Sequence, residues 1–522
     1  MAACSGEPAP GPAAILEPPP PPTAATFERL SERVDPWVAR PRVVVMTDIA
    51  NEPDDQMSLV RLLVYANELE IEGLIATTST WMRTRVRPDV INHVLDAYAK
   101  VQPSLSKHAA GYPDVKALKD AVASGPEGFG MAAVHRNDDD ISMGARHLVA
   151  AADRRDERPL WVLAWGGANT LAEALAYVRR TRPAAALEAF VEKLRVYAIS
   201  DQDDAGPWLR REFPTLHYIG LPSTPDGEQY AQATWTGISG DRFYRNADGA
   251  DFTTFTHEWV EANIRSKGPL GALYIPPCCI HEGDTPSFLG LINNGLASFM
   301  TPVYGGWGGR YVWRQYYGET RPSWTQGGDA YPGRDSSRDT VLGTDGQPRT
   351  SDQATIWRWR QAFQHDFAAR MDWTIKTVAD ANHNPVAIVN GQNDKAPITI
   401  DAEIGAPNAL DASASTDPDG DDLRYSWFFY PEAGTGIPSQ PVAAGPAVPI
   451  GGGGSAAEGG IPSAGEDGPP QPPARATLET TTGPRVTATL HTPGTAHIIL
   501  VVEDDGAPSL TSYRRIILRH AP

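Results

Sequence analysis

Between Asp48 and Asp55 the chain sets four carboxylates and one amide within eight residues: Asp48, Asn51, Glu52, Asp54 and Asp55. Acids packed this closely repel one another, and each carboxylate drawn out of water is costly unless something compensates it. A hard divalent cation is the simplest compensation, because Ca²⁺ and Mg²⁺ prefer oxygen ligands and Ca²⁺ takes about six to eight of them. The plainer alternative is that Asp54 and Asp55 cap the following helix and favour its positive end, with the other groups solvated. Two later stretches repeat the pattern of an apolar or structured run followed by acids. Ser200 to Trp208 carries Asp201, Asp203 and Asp204, and Cys278 to Ser287 carries His281, Glu282 and Asp284.

The elements that must position these groups read as alternating strands and helices. Val43 to Met46 is a short apolar run of the kind that forms a central strand buried on both faces. Met57 to Leu69 follows with helical spacing, so the first acids fall at the carboxyl end of a strand, where open α/β sheets bind ligands. Ile71 to Thr78, Pro159 to Ala164 and Leu194 to Ile199 read as further strands. Val90 to Val101, Ser142 to Ala152 and Leu171 to Arg179 read as helices, the last entered through the turn Trp165-Gly166-Gly167-Ala168-Asn169-Thr170. This alternation predicts an α/β fold with a doubly wound, mostly parallel sheet. The connection Pro103 to Asp140 shows no clear period. Gly305 to Tyr311, containing Trp307, reads as a pocket wall, and Ala354 to Val378 as one long aromatic-rich helix.

At 522 residues the chain should hold about two to four domains, and its net charge of −19 argues against a nucleic-acid partner. No window has the apolar length of a membrane span. The three cysteines, Cys4, Cys278 and Cys279, imply neither a disulfide framework nor a zinc site. Met1 to Gly6 is similar to the end of a bacterial lipoprotein signal lacking its basic and apolar parts; lipidation of Cys4 would be the one membrane contact and would give a cell-envelope or extracellular location. An ordinary N-terminus with a chance cysteine is the alternative. Residues 1–35 read as a Pro-rich tether, 36–382 as the α/β domain and 383–522 as an immunoglobulin-like all-β sandwich with a disordered insertion at about 431–476. Within the sandwich, Asp417 to Asp422 would hold a second Ca²⁺ or form a solvated turn.

With the three acid loops in view, a resemblance can be stated. Met46 to Leu59 resembles the N-terminal Asp-Thr-Asp-x-x-x-Asp-Asp signature of the nucleoside hydrolases, with two extra residues before the Asp pair and Met46 in place of the first Asp. Trp165 to Ala172 is similar to that fold's Gly-Pro-Leu-Thr-Asn-Leu-Ala turn, and His281 to Asp284 to its late metal loop. T-D-I-x-N-E-P-D-D, D-Q-D-D-A-G-x-W and E-G-D-T-P-S-F-L resemble more closely a bacterial family labelled cellulose-binding protein, which joins a nucleoside hydrolase-like domain to a C-terminal sandwich. The resemblance implies Ca²⁺ held by Asp48, Asp55, the Trp165 carbonyl and Asp284. It also implies Asp48 as general base towards water and Asp54 as a hydrogen-bond partner of sugar hydroxyls.

The expected reaction is hydrolysis of a glycosidic bond by direct water attack, with inversion. A sugar alkoxide needs a general acid to leave, and Glu52, Asp203 and Glu282 are acids beyond the plain signature. That surplus favours an O-glycoside of a poly- or oligosaccharide over a nucleoside, with Asp48, Glu52 and Glu282 as catalytic candidates. Asn51, Asp54, Asn169, Asp203 and Asp204 are expected to bind the sugar, and Trp208 and Trp307 to stack on it. The alternatives are N-ribosyl hydrolysis and a carbohydrate (cellulose)-binding protein without turnover. Deletion of residues 386–522 is expected to leave the metal site intact.

Overall fold

The computed structural model describes residues 22–135, 140–223, 230–245, 248–316, 318–326, 337–434 and 475–520. The lipidation candidate Cys4, the tether before residue 22 and most of the insertion expected at 431–476 lie outside them.

The run Val43 to Met46 lies within strand β1 (Arg42–Thr47), every residue of which is buried. Val43 and Val45 enter one apolar core while Val44 and Met46 enter another. The absence of polar alternation in the sequence reflects cover on both faces. Parallel neighbours are β2 (Glu70–Ala76) and β4 (Leu160–Ala164). With β3 (Val122–Ser124), β5 (Leu194–Ala198), β6 (His217–Ile219), β7 (Val312–Arg314) and β8 (Ser323–Thr325), they form one eight-stranded sheet in the order β3-β2-β1-β4-β5-β6-β8-β7. Only β7 runs antiparallel to its neighbour, β8. The strand order reverses between β1 and β4, and the chain leaves those two strands in opposite directions. A crevice at their carboxyl ends follows.

Several elements depart from the sequence reading. The aperiodic stretch after Pro103 holds the end of helix Pro88–His108, which continues through Pro103, then helix Val115–Asp120 and the edge strand β3. Three residues of β3 are too few to show a period. The helix expected over 354–378 is broken into Ala354–Trp357 and Arg360–Asp372. Trp307 is no pocket wall; it is 1% exposed and packs edge-on against Phe363 and Tyr513.

After a hairpin of β9 (Asp339–Leu342) and β10 (Pro348–Ser351), the C-terminal strands form two sheets. One orders β11 (Ile398–Asp401), β17 (Thr511–His520), β16 (Gly494–Glu503) and β13 (Arg424–Tyr430); the other orders β12 (Pro407–Asp411), β15 (Arg485–Leu490) and β14 (Ala476–Leu478). Between them lie Trp427, Ile498, Leu500 and Ile516. The alternate residues Phe428, Tyr430, Ile499, Val501 and Tyr513 point the other way, into the same core as Trp307 and Trp359 of the α/β domain. The sandwich is therefore packed into the first domain.

Candidate functional site

Thr47 ends β1 and Asp48 follows it, and the chain turns through Ala50, whose φ of 76° is left-handed, into helix Pro53–Val64. Pro53 suits the first helical position, and acids in the first turn face the positive end of the dipole. Asp54 and Asp55 stand there, both buried. The hydroxyl of Thr47 donates to Asp55, and Thr47 Oγ1 also accepts from the Ile49 amide at 3.1 Å. Asp284 arrives from the third acid loop, past Glu282, whose φ is 54°. Ser200, in the second acid loop, is left-handed too, at φ 59°. Non-glycine residues held in this region concentrate where a surrounding structure imposes them, often at functional sites.

Oxygens of Asp54, Asp55 and Asp284 lie within 4.8 Å of one another, all three residues buried. Among the described residues, Asp54 Oδ1 and Asp284 Oδ2 have no hydrogen-bond partner. Burial first, then the neighbouring charges, pushes all three carboxyls up, Asp54 to about 8 and the other two well above the carboxylate range. Two orphaned acid oxygens in a buried trio are the donor set a hard divalent cation takes. Residues and ion fit.

Asp48 adjoins the trio. It is 2% exposed, lies in hydrogen-bonding reach of Asp55 and Ser79, and accepts from Asn51 Nδ2 at 3.4 Å. Burial raises its carboxyl. A Cβ on Gly166 would come 2.7 Å from Asp48 Oδ1, and one on Gly283 would come 2.6 Å from Asp54 Oδ2, so both glycines make room for the acids. Glu52 stands at the mouth, where partial loss of hydration among the crowded acids and the charge of Asp48 push its carboxyl up to about 7.

Residues 42–311 match the family model described as cellulose-binding Sde182, nucleoside hydrolase-like domain, and residues 409–520 that of cellulose-binding protein Sde0182, C-terminal domain. The chain belongs to the Sde182 family. A solved structure described as a nucleoside hydrolase-related hypothetical protein from Saccharophagus degradans, associated with carbohydrate metabolism, is 32% identical with a TM-score of 0.71. The match covers 92% of this chain and 100% of that one. The effector protein XOO4466 shows only 12% identity and a TM-score of 0.27, over 58% of this chain and 91% of its own. No curated protein matches the chain. The nucleoside hydrolase-like fold and the C-terminal all-β domain are thus those the resemblance implied.

Within this Sde182-family site, other expected residues fall into different settings. The Trp165 carbonyl accepts from Gln202 Nε2, and its indole donates to Ser287 at 2.8 Å. Asn169 is fully buried, its amide donating to Thr78 Oγ1 at 3.1 Å and Gly128 O at 2.9 Å. Asp203 is buried, accepts from the amides of Asn169 at 3.0 Å and Ala205 at 2.9 Å, and is pushed up to about 7 by burial. Its oxygens secure the starts of two helices. Asp204 is exposed and accepts from the Met131 amide at 2.7 Å. Trp208 lies with Phe213 and under the guanidinium of Arg179, packed against the core that holds Val44 and Met46. The exposed indole is Trp81, 49% accessible, whose amide donates to Ser79, the same residue that bonds Asp48. The sequence offered a signal for it: Trp81 follows a strand next to β1, so its loop opens on the same crevice.

Glu282 points away from Asp284. It is fully buried, accepting from Arg61 Nη1 at 2.6 Å and the Tyr274 hydroxyl at 2.7 Å. Arg61 in turn lies over the Phe367 ring at 4.5 Å. An acid held this way ties the third loop to helix Pro53–Val64 and has no route to a sugar oxygen. Removing one partner of a buried ion pair leaves the other charge uncompensated. Glu282→Gln should therefore cost about 3–5 kcal/mol of folding stability by urea denaturation; a loss under about 1 kcal/mol would mean that Arg61 is already satisfied by its contacts to Gln364 and Phe363.

Proposed function

We propose that the chain is a divalent-metal-dependent hydrolase of an O-glycosidic bond in a carbohydrate, the metal being Ca²⁺ held by Asp55 and Asp284 with Asp54 and Asp48 beside it. The single observation carrying this reading is the buried trio of Asp54, Asp55 and Asp284 with Asp48 against it. When bound, the cation supplies positive charge that offsets the acids, holds neighbouring hydroxyls and acidifies nearby water. Asp48 takes the proton of the attacking water, and Asn51 and Ser79 hold its carboxylate for that purpose. Glu52 donates a proton to the departing oxygen; a carboxyl raised to about 7 keeps that proton near neutral pH, as a general acid requires. Glu282, tied to Arg61, has no part in this step, and Trp81, rather than Trp208 or Trp307, is the residue open to stack on a sugar. A cell-envelope or extracellular location suits a polysaccharide substrate.

A second reading, a carbohydrate binder without turnover, has support in the family's description as cellulose-binding. Release of nitrophenol from nitrophenyl furanosides and pyranosides, and of base from inosine and uridine, each with and without chelator, separates the two. Chelator-sensitive glycoside release supports the hydrolase. No release from any of them, together with retention on cellulose, overturns it.

The acids also set a pH signature. Groups whose folded pKa is raised stabilise the fold below their unfolded values of about 4 and lose that stabilisation as pH climbs through the folded values. For Glu52, Asp54 and Asp203 those folded values are about 7, about 8 and about 7. In chelator, Tm should fall as pH rises from about 5 to about 8, and added Ca²⁺ should reverse most of the fall. A metal-free Tm that rises across that window would show the acids are not crowded.

A further inference from the structure

A second cluster of acids lies in the sandwich, at the seam with the α/β domain. Asp417, Asp419 and Asp421 each offer an oxygen within 4.8 Å of the others. An acidic turn alone is commonly solvated; here two features set it apart. Asp417 Oδ1 is saturated, accepting from the amides of Asp419 at 2.8 Å, Gly420 at 3.0 Å and Asp421 at 3.2 Å, while its buried Oδ2 has no partner among the described residues. Asp504, from the loop after β16, repeats this arrangement and is 0% exposed. Its Oδ1 accepts from Asn382 Nδ2 at 3.0 Å and the amides of Gly506 at 3.0 Å and Leu510 at 2.9 Å, and its Oδ2 is orphaned.

The two loops meet. The Asp422 amide donates to Asp505 at 2.9 Å, a Cβ on Gly506 would lie 2.6 Å from Asp421 Oδ2, and the charge of Asp417 acts on Asp504. Asp417, half-buried, is thus fixed through one oxygen by backbone amides, and Asp504, fully buried, by two backbone amides and the Asn382 side chain; each presents its other oxygen, buried and, among the described residues, unpaired. A fully buried acid with a free oxygen costs free energy unless a cation answers it. Of these acids His383 bonds Asp419, through its amide at 2.7 Å and its ring at 3.0 Å, while its other ring nitrogen lies 3.0 Å from His108 Nδ1.

We infer that Asp417, Asp419, Asp421 and Asp504 form a Ca²⁺ site that joins two sandwich loops to the segment Asn382–His383 entering from the α/β domain. An all-carboxylate set from two loops suits the larger, more adaptable Ca²⁺ better than Mg²⁺, which demands near-octahedral geometry and keeps its water. The ion would fasten the seam between domains. Its affinity should fall in the range of extracellular modules, about 10⁻⁴ to 10⁻³ M.

The test uses the full chain in two ways. Calorimetric CaCl₂ titration of the Asp55→Asn/Asp284→Asn double variant, which lacks the first centre, should still show one Ca²⁺ per chain. Adding Asp417→Asn and Asp421→Asn should abolish that transition; binding that survives them, or no binding before them, overturns the site. Hydrogen exchange on the unaltered chain covers the case of a misfolded variant. With Ca²⁺ about tenfold above Kd, amides of 417–422 and 504–510 should exchange about tenfold more slowly, and unchanged rates there overturn the proposal. Exchange at 48–55 and 281–285 reports separately on the first centre, so failure of one reading is distinguishable from failure of the other.

Discussion

Asp48→Asn should lower kcat on a cleaved glycoside by roughly 10²–10⁴-fold, the usual contribution of a positioned general base, while leaving the protein at least as stable as before. The stability half of this expectation comes from burial. Asp48 is 2% exposed and its carboxyl is raised by loss of hydration, so replacing it with a neutral group of the same shape removes a charge the fold accommodates poorly. Asn at this position still fits over Gly166 and keeps an oxygen for Ser79. Loss of turnover with an unchanged or higher Tm therefore separates a chemical role from a structural one. An activity within tenfold of the parent would take Asp48 out of the reaction, and a large fall in Tm would assign it to the fold.

The largest stability effect is expected at the seam between domains. Tyr513→Ala should cost about 3–5 kcal/mol, as buried aromatic truncations do, and deletion of 386–522 should prevent the α/β domain from folding to a soluble form. Tyr513 is 1% exposed, packs edge-on against Trp359 at 5.4 Å, and donates its amide to Asn294 O at 3.0 Å. Arg515, fully buried, donates to Leu296 O at 2.6 Å, Tyr304 O at 2.8 Å and Gly305 O at 3.0 Å. Removing the sandwich would bare Trp307, Trp359 and the four backbone carbonyls of Asn294, Leu296, Tyr304 and Gly305 together. The truncated chain can be assayed by solubility and near-UV circular dichroism; a folded, monomeric product would show that the shared core is dispensable. This reverses the expectation that the metal site survives the deletion.

Much of the architecture was legible because its causes are local. A short, Val-rich apolar run with no polar alternation, followed at once by a turn of acids, favours a covered strand over a buried helix, and Val43 to Met46 is one. Gly- and Asn-bearing turns after Ala164 mark a strand handing over to a helix, and β4 followed by helix Asn169–Thr181 obeys them. The crowding of Asp54 and Asp55 behind a proline marked a helix start and an electrostatic problem in one string. The short strands β3, β6, β7 and β8 were hidden, since three residues carry no period and are held by neighbours distant in sequence.

Chemistry, by contrast, was assigned by folding. Glu282 and Asp284 are two residues apart with the same functional group, yet a left-handed backbone and a buried Arg61 turn one into a tie and leave the other beside Asp54 and Asp55. The indoles of Trp81, Trp208 and Trp307 are equivalent in the sequence; packing buries Trp307, lays Trp208 against Phe213 and leaves Trp81 open. The alternation along β13, β16 and β17 gave two apolar faces without saying that one of them covers the other domain. Residue types and short spacings determined the strands, helices and the need for a counter-ion, because those depend on neighbours along the chain. Which oxygens share a site and which rings meet solvent was decided only by tertiary packing, since it turns on partners up to hundreds of residues away.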